Sequence, residues 1–344
     1  MTSNKTENML LCYPFRPNSC QKLQRLTVVK VAMYVLIVLM ILTTVFGNLL
    51  VIISISHFKQ LQSPTHLIVR SLAVSDCLMG SLVMPYNMVR SVEGCWYLGD
   101  FLCKVHSSLD MSLCMSSLLH LSLISVDRYW AICDPLRYKM RVTNNNMTVF
   151  ITFIWLFTCG YSFFVTYCVG NCVVFSGINA VGMEMLILQT YCVGNCVVFF
   201  NKEWSFICPV LLLFLPGMIM SSLYVKIFCV ARKHAKVMSE RATGGIKSQS
   251  SAHRERKAAK TLAIVMGVYL FCWLPFFTAA ALDPFFNYWT PAVVFDALFW
   301  FAYFNSTCNP LVYGFFYPCF QKAFKILIST YICGIKHSNT LIFD

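Results

Sequence analysis

The chain is short of charge. Only 12% of its 344 residues are Asp, Glu, Lys or Arg, just 14 of these are acidic, and 58% of the chain is hydrophobic. A soluble protein of this length cannot hide so much apolar surface, so a polytopic membrane protein is the default class. Also missing are a metal-ligand cluster and a nucleophile–base–acid set on a plausible site, which argues against an enzyme. No cleavable signal peptide is expected, because the first 26 residues are mostly polar. The short alternating segments of a membrane barrel are absent as well, which leaves helices as the spanning element.

What is present is length in the apolar runs. A spanning helix needs roughly 20 apolar residues. Seven stretches qualify, at about 28–56, 64–90, 102–133, 147–168, 204–232, 258–282 and 291–316. The expected fold is an all-α membrane protein, a seven-transmembrane helix bundle with a short amphipathic C-terminal helix. Residues 1–26 form an outer tail, 27–317 the bundle, and 318–344 a membrane-surface helix and inner tail. Phe320 and Phe324 lie four apart with Lys322 and Lys325 among them, the pattern of a helix lying on lipid. Cys333 is a candidate palmitoylation site.

The charges supply an orientation. Arg232, Lys233, Lys236, Arg241, Lys247, Arg254, Arg256, Lys257 and Lys260 join the fifth and sixth stretches, and Arg137, Lys139 and Arg141 follow the third. Both loops lie on one side, which should be cytoplasmic. The N-terminus is then outside, the C-terminus inside, and the location the plasma membrane. The net charge of +13 is mainly a topology signal, so no nucleic acid is expected as a partner.

Eighteen cysteines do not imply nine disulfides, because many lie within spans. Cys12, Cys20, Cys95, Cys103, Cys192 and Cys196 fall outside, with Cys168 and Cys172 nearby. Asn4-Lys5-Thr6 is a glycosylation sequon on the outer tail, placing the candidate glycan on Asn4. TYCVGNCVVF occurs at Thr166–Phe175 and again, identical, at Thr190–Phe199. The first copy reads as a local duplication or a gene-prediction error, and a lengthened lid is the functional alternative. A duplication also supplies rival cysteines.

Polar groups inside spans carry the chemistry, because hydrocarbon penalises them unless they are paired. Asp110 lies about eight residues into the third stretch, roughly 12 Å deep. No Lys or Arg on the outer half of neighbouring spans is available to pair with it, so a ligand ammonium is the expected counter-ion; a protonated or hydrogen-bonded core acid is the alternative. Trp273, Phe276 and Phe277, with Trp300 and Tyr303, can form an aromatic wall around a cation, or can simply pack the helices. Pro275 allows the sixth helix to kink there. Asp76, with Asn48, Ser117, Asn305, Ser306 and Asn309, can hold a sodium ion through oxygen ligands, or a water-filled network. Asp127-Arg128-Tyr129 closes the third stretch. Arg128 can pair with Asp127 and, across the bundle, with Glu255, which makes a two-state latch.

The run NSTCNPLVYGFFYP, Asn305–Pro318, resembles the fingerprint of trace-amine-associated receptors within the rhodopsin-like G-protein-coupled receptors; Cys319 stands where that fingerprint has Trp. SISHFKQLQSPTHL, VMPYNMVRSVEGCWYLGDFLCKVH, ISVDRYWAICDPLRYK and ERKAAKTLAIVMG are similar to the same family. The resemblance implies that Asp110 binds an amine, with Cys114, Trp273, Phe276, Phe277, Trp300 and Tyr303 around it. It implies sodium at the Asp76 cluster as the one possible cofactor. Tyr224, Asn309, Pro310 and Tyr313 would act with Asp127, Arg128, Tyr129 and Glu255 in the switch. It also implies disulfides Cys103–Cys196 and Cys20–Cys192. The fifth stretch has Cys208, Pro209, Leu211 and Leu212 where catecholamine receptors place serines and some diamine receptors a second acid, so a small monoamine is expected. The implied partners are an amine, a stimulatory or olfactory heterotrimeric G protein acting through cyclic AMP, and membrane lipid. The alternatives are a serotonin-like amine receptor and a receptor disabled by the duplicated segment. A transporter or channel would show inverted repeats, which are absent.

Overall fold

Ser63 and Thr143 mark where two long helices begin. Ser63 Oγ accepts from His66 N at 3.3 Å, with Pro64 in the first turn, and Thr143 Oγ1 accepts from Asn146 N at 3.3 Å. Each side chain satisfies a donor that the helix start leaves open. The computed structural model describes residues 11–16, 19–169, 194, 196, 207, 210, 214–240, 264, 267–286 and 289–331.

Within that range the chain is helical almost throughout. Helix α1 spans Thr27–His57, α2 Pro64–Leu78, α3 Met84–Glu93, α4 Gly99–Cys133, α5 Pro135–Arg141 and α6 Asn144–Phe164. Helix α7 spans Leu215–Glu240, α8 Gly267–Leu282, α9 Ala292–Phe316 and α10 Pro318–Tyr331. A π-helical turn, Met79–Val83, joins α2 to α3, so the second stretch is one interrupted rod, Pro64–Glu93. That wide turn rotates the residues beyond it relative to those before it. Four helical segments among the described residues are long and apolar enough to cross a membrane: Thr27–His57, Pro64–Glu93, Gly99–Cys133 and Asn144–Cys168. The expected fifth and sixth stretches begin outside the described residues, and α7 and α8 are their described parts. Helix α5 was not anticipated from the sequence.

The surface is apolar, unlike that of a soluble bundle. Val28, Val35, Leu36, Leu39 and Phe46 of α1 are exposed, as are Phe153 and Leu156 of α6. Lipid satisfies such faces; water would not. Inside, Val51, Ile55, Leu72, Leu121 and Ile124 pack with Tyr313 and Phe320. A second cluster holds Met79, Val83, Met84, Leu113 and Tyr303. Buried polar groups thread between the two, including a 2.7 Å hydrogen bond between the Thr44 and Thr307 hydroxyls.

Two glycines fix close approaches. A Cβ on Gly47 would stand 2.8 Å from Pro310 Cγ, so α1 lies directly against the proline of α9. Gly94 ends α3 at φ +70°, where its N–H returns to Arg90 O at 2.9 Å.

Candidate functional site

The expected ligand acid sits in a short hydrogen-bonded chain. Tyr303 of α9 donates its hydroxyl to Asp110 Oδ2 at 2.8 Å and accepts from Asn87 Nδ2 at 2.6 Å. Cys114, one turn further along α4, places Sγ 3.5 Å from Asp110 Oδ1. Asn87 and Tyr303 are buried, whereas Asp110 retains partial exposure.

Aromatic rings continue from this acid. Tyr303 meets Phe299 edge to face at 5.0 Å, and Phe299 meets Phe276 at 4.6 Å. Phe276 and Phe277 each contact Trp273, at 6.2 and 5.4 Å. All five expected wall aromatics thus form one continuous set, with Phe299 joining Tyr303 and Trp300 to the three rings of α8. Phe299 was missed, although its place four before Tyr303 was a signal for a shared helix face. Trp300 meets Tyr303 edge to face at 5.5 Å. Its Nε1 donates to Ser91 Oγ at 3.1 Å, so its polar edge ties α9 to α3.

The expectation that no Lys or Arg on the outer half of neighbouring spans is available to pair with Asp110 passes over one residue. Arg90, in the outer end of the second stretch, was not weighed. It is engaged elsewhere: Nη1 donates to Cys196 O at 2.8 Å, and Nη2 lies 3.8 Å from Asp296 Oδ1. Arg25 Nη2 approaches the other oxygen of Asp296 at 3.9 Å.

Asp76 receives three donors: Ser117 Oγ at 3.3 Å, Ser306 Oγ at 2.8 Å and Asn309 Nδ2 at 2.7 Å. Asn48 turns instead to the carbonyls of Thr44 and Ser306. Asn305 is buried, and neither its Oδ1 nor its Nδ2 has a hydrogen-bond partner. Three of the five expected side chains therefore converge on the acid. The Asn48 amide oxygen is likewise buried without a partner.

At the opposite end of α4, Asp127 is buried and held from three sides. Arg128 pairs with it through Nη2 and donates from Nε at 2.8 Å. Thr65 donates at 3.0 Å and Tyr138 at 3.1 Å. Tyr138 belongs to α5 and was not foreseen; burial raises its phenol above the ordinary range, so it remains a donor. Glu255, the expected second partner of Arg128, lies outside the described residues. Tyr129 is half-buried, and Tyr224 packs against the main cluster. Tyr313 and Phe320 meet as tilted rings at 5.6 Å. With Arg128, Thr65 and His66, they line a cavity at this end.

The other end is covered by the N-terminal segment. Cys103 and Cys196 form the expected disulfide. Cys12–Cys95 is a second disulfide, one the sequence reading left unassigned. Cys20 is also disulfide-bonded, while Cys192, its expected partner, lies outside the described residues, as does Asn4. Trp96 N donates to Gly194 O at 2.8 Å, and Glu93 pairs with Lys30 at 2.8 Å and Lys22 at 3.3 Å.

Apolar faces around a buried polar thread define a multi-pass helical membrane protein. The family described as 7 transmembrane receptor (rhodopsin family) matches residues 47–313. Trace amine-associated receptor 4 of Rattus norvegicus is 43% identical over 323 residues, covering 92% of this chain and 91% of the relative. Trace amine-associated receptor 2 of Mus musculus is 44% identical over 332 residues, with 96% and 95% coverage. Trace amine-associated receptor 9 of Rattus norvegicus is 44% identical over 341 residues, with 98% of each chain covered. The chain belongs to the rhodopsin family of seven-transmembrane receptors and, within it, to the trace amine-associated receptors. It is a multi-pass plasma-membrane receptor and not an enzyme.

Proposed function

We propose that this receptor detects a small protonated monoamine, with Asp110 as counter-ion. The observation that carries this reading is the state of Asp110. It is partly exposed, held by Tyr303 and adjacent to an aromatic wall, while Arg90 is engaged by Asp296 and the Cys196 carbonyl. A carboxylate at membrane depth needs a cation, and rings beside it favour an ammonium. The printed names of the relatives agree with an amine ligand. Cys208, Pro209, Leu211 and Leu212 offer no hydroxyl or second acid from the fifth stretch, which favours a monoamine.

The orientation follows the basic loops, with the disulfide-bonded end outside and the Asp127 end facing a G protein. Ligand binding favours an arrangement in which Arg128 leaves Asp127 and the sixth helix moves outward. Asn309, Pro310, Tyr313, Tyr224, Tyr129 and Glu255 belong to that switch. Sodium at Asp76, with Ser117, Ser306, Asn305 and Asn309, stabilises the resting arrangement. The downstream route is a stimulatory or olfactory G protein and cyclic AMP, in an olfactory role. The tail helix α10 rests on lipid.

Cyclic AMP is measured in cells expressing tagged receptor against volatile and aromatic monoamines, with Asp110→Asn beside it. A response lost in the variant at equal surface level supports the reading. A response of equal potency in both removes Asp110 from the ligand site.

A further inference from the structure

Helices α3 and α9 are joined by three polar links that climb toward the disulfide end. Asn87 reaches Tyr303, Ser91 reaches Trp300, and Arg90 faces Asp296. Asp296 and Tyr303 are seven residues apart on α9, two turns, so they share a face with an axial separation of about 10 Å. Tyr303 in turn holds Asp110. The column therefore carries one carboxylate at its deep end and a second at its mouth. Phe299, between the two levels, packs on Tyr303.

The upper carboxylate is covered by two guanidinium groups. Arg90 and Arg25 stand at 3.8 and 3.9 Å, the far limit of ion-pair contact. Both are retained by other contacts: Arg90 donates to Cys196 O at 2.8 Å, and Arg25 Nη1 lies 2.8 Å from Met33 Sδ. Arg25 Nε and Nη2 are buried without a hydrogen-bond partner. Two positive groups around one negative leave this level of the column with net positive charge. A second ammonium arriving there would meet repulsion, although a carboxylate stands at the right spacing.

We propose that Asp296 is a second ammonium-binding carboxylate, masked by Arg90 and Arg25, and that this masking makes the receptor select monoamines over α,ω-diamines. The device is a repulsive element set against a competing ligand class. It rests on Asp110 holding the first ammonium. It also places the discrimination at the mouth formed by α3, α9 and the N-terminal segment, away from the fifth stretch.

Heptylamine and 1,7-diaminoheptane are the probes, since the extended diamine spans about the 10 Å between the two levels. Binding to purified full-length receptor is read by thermal shift. The unmodified receptor is expected to bind the diamine no more tightly than heptylamine. Arg90→Gln is expected to strengthen diamine binding about tenfold while heptylamine moves less than about twofold. Adding Asp296→Asn to that variant removes the gain. Arg25→Gln, outside the bundle, is the second variant and gives a smaller gain in the same direction. Three results overturn the proposal: an unmodified receptor that already prefers the diamine, no diamine gain in either arginine variant, or a gain that survives Asp296→Asn. If the unmodified receptor binds neither probe, the Asp110 reading fails and takes this proposal with it; if Asp110→Asn abolishes heptylamine binding but no arginine variant gains diamine, only the masking is wrong.

Discussion

Tyr303 donates to Asp110 at 2.8 Å across the gap between α9 and α4, and its own oxygen is filled by Asn87 at 2.6 Å. The hydroxyl cannot rotate away without abandoning one partner, so the carboxylate has a fixed direction before any ligand arrives. Fixed charges of this kind lower the ordering cost of binding.

Tyr303→Phe removes the donor and leaves the ring. Agonist potency in the cyclic AMP assay is expected to fall roughly tenfold at matched surface level, the scale of a hydrogen bond to a charged group. Asn87→Ala is expected to move potency in the same direction by less. Unchanged potency in Tyr303→Phe would remove the hydroxyl from the site.

Asp76 has three donors, and Asn309 makes the shortest contact, 2.7 Å. Asn309→Ala leaves one carboxylate oxygen buried without that partner, which costs about 1–3 kcal/mol. A lower midpoint of thermal unfolding in detergent is the expected outcome. Added sodium is expected to stabilise the unmodified receptor and to have a smaller effect on Asp76→Asn.

Thr65 and Tyr138 hold Asp127 against Arg128. Thr65→Ala and Tyr138→Phe each delete a donor to Asp127 together with an acceptor for Arg128 Nη2, and leave both charged side chains in place. Basal cyclic AMP is expected to rise in both, and more in the double variant. A basal level unchanged in all three would show that these bonds do not restrain the switch.

The Cys12–Cys95 link ties the N-terminal segment to the end of α3. Non-reducing peptide mapping is expected to recover Cys12 with Cys95 and Cys103 with Cys196. Cys12→Ser and Cys95→Ser are each expected to cost about 2–5 kcal/mol of stability, with the double variant no worse than either alone. Additive losses would mean the two cysteines have separate partners.

The helices were legible because hydrocarbon demands long apolar runs, and the described spans start within three residues of expectation at 27, 64, 99, 144 and 292. Asp110, Asp76 and Arg128 were legible for the complementary reason that charge inside such runs is rare. Arg90 and Asp296 escaped notice because their relation exists only in space. Each sits near a helix end, where charge is ordinary, and they stand 206 positions apart in the chain. Phe299 was hidden among neighbouring aromatics, since composition does not say which ring faces inward. Tyr138 lay in a basic loop whose short helix has no long apolar pattern to announce it.

The order in which the disulfides can close follows from where their cysteines lie. Cys12 and Cys95 both emerge from the ribosome before the third helix is made, whereas Cys103 must wait for Cys196, about a hundred residues and on the order of ten seconds of synthesis later. During that wait Cys168, Cys172 and Cys192 are synthesised. Early closure of the tail withdraws Cys95 from the competition before the duplicated cysteines exist. The tail-to-α3 link thus bears on pairing fidelity in a chain whose repeated decapeptide adds two cysteines.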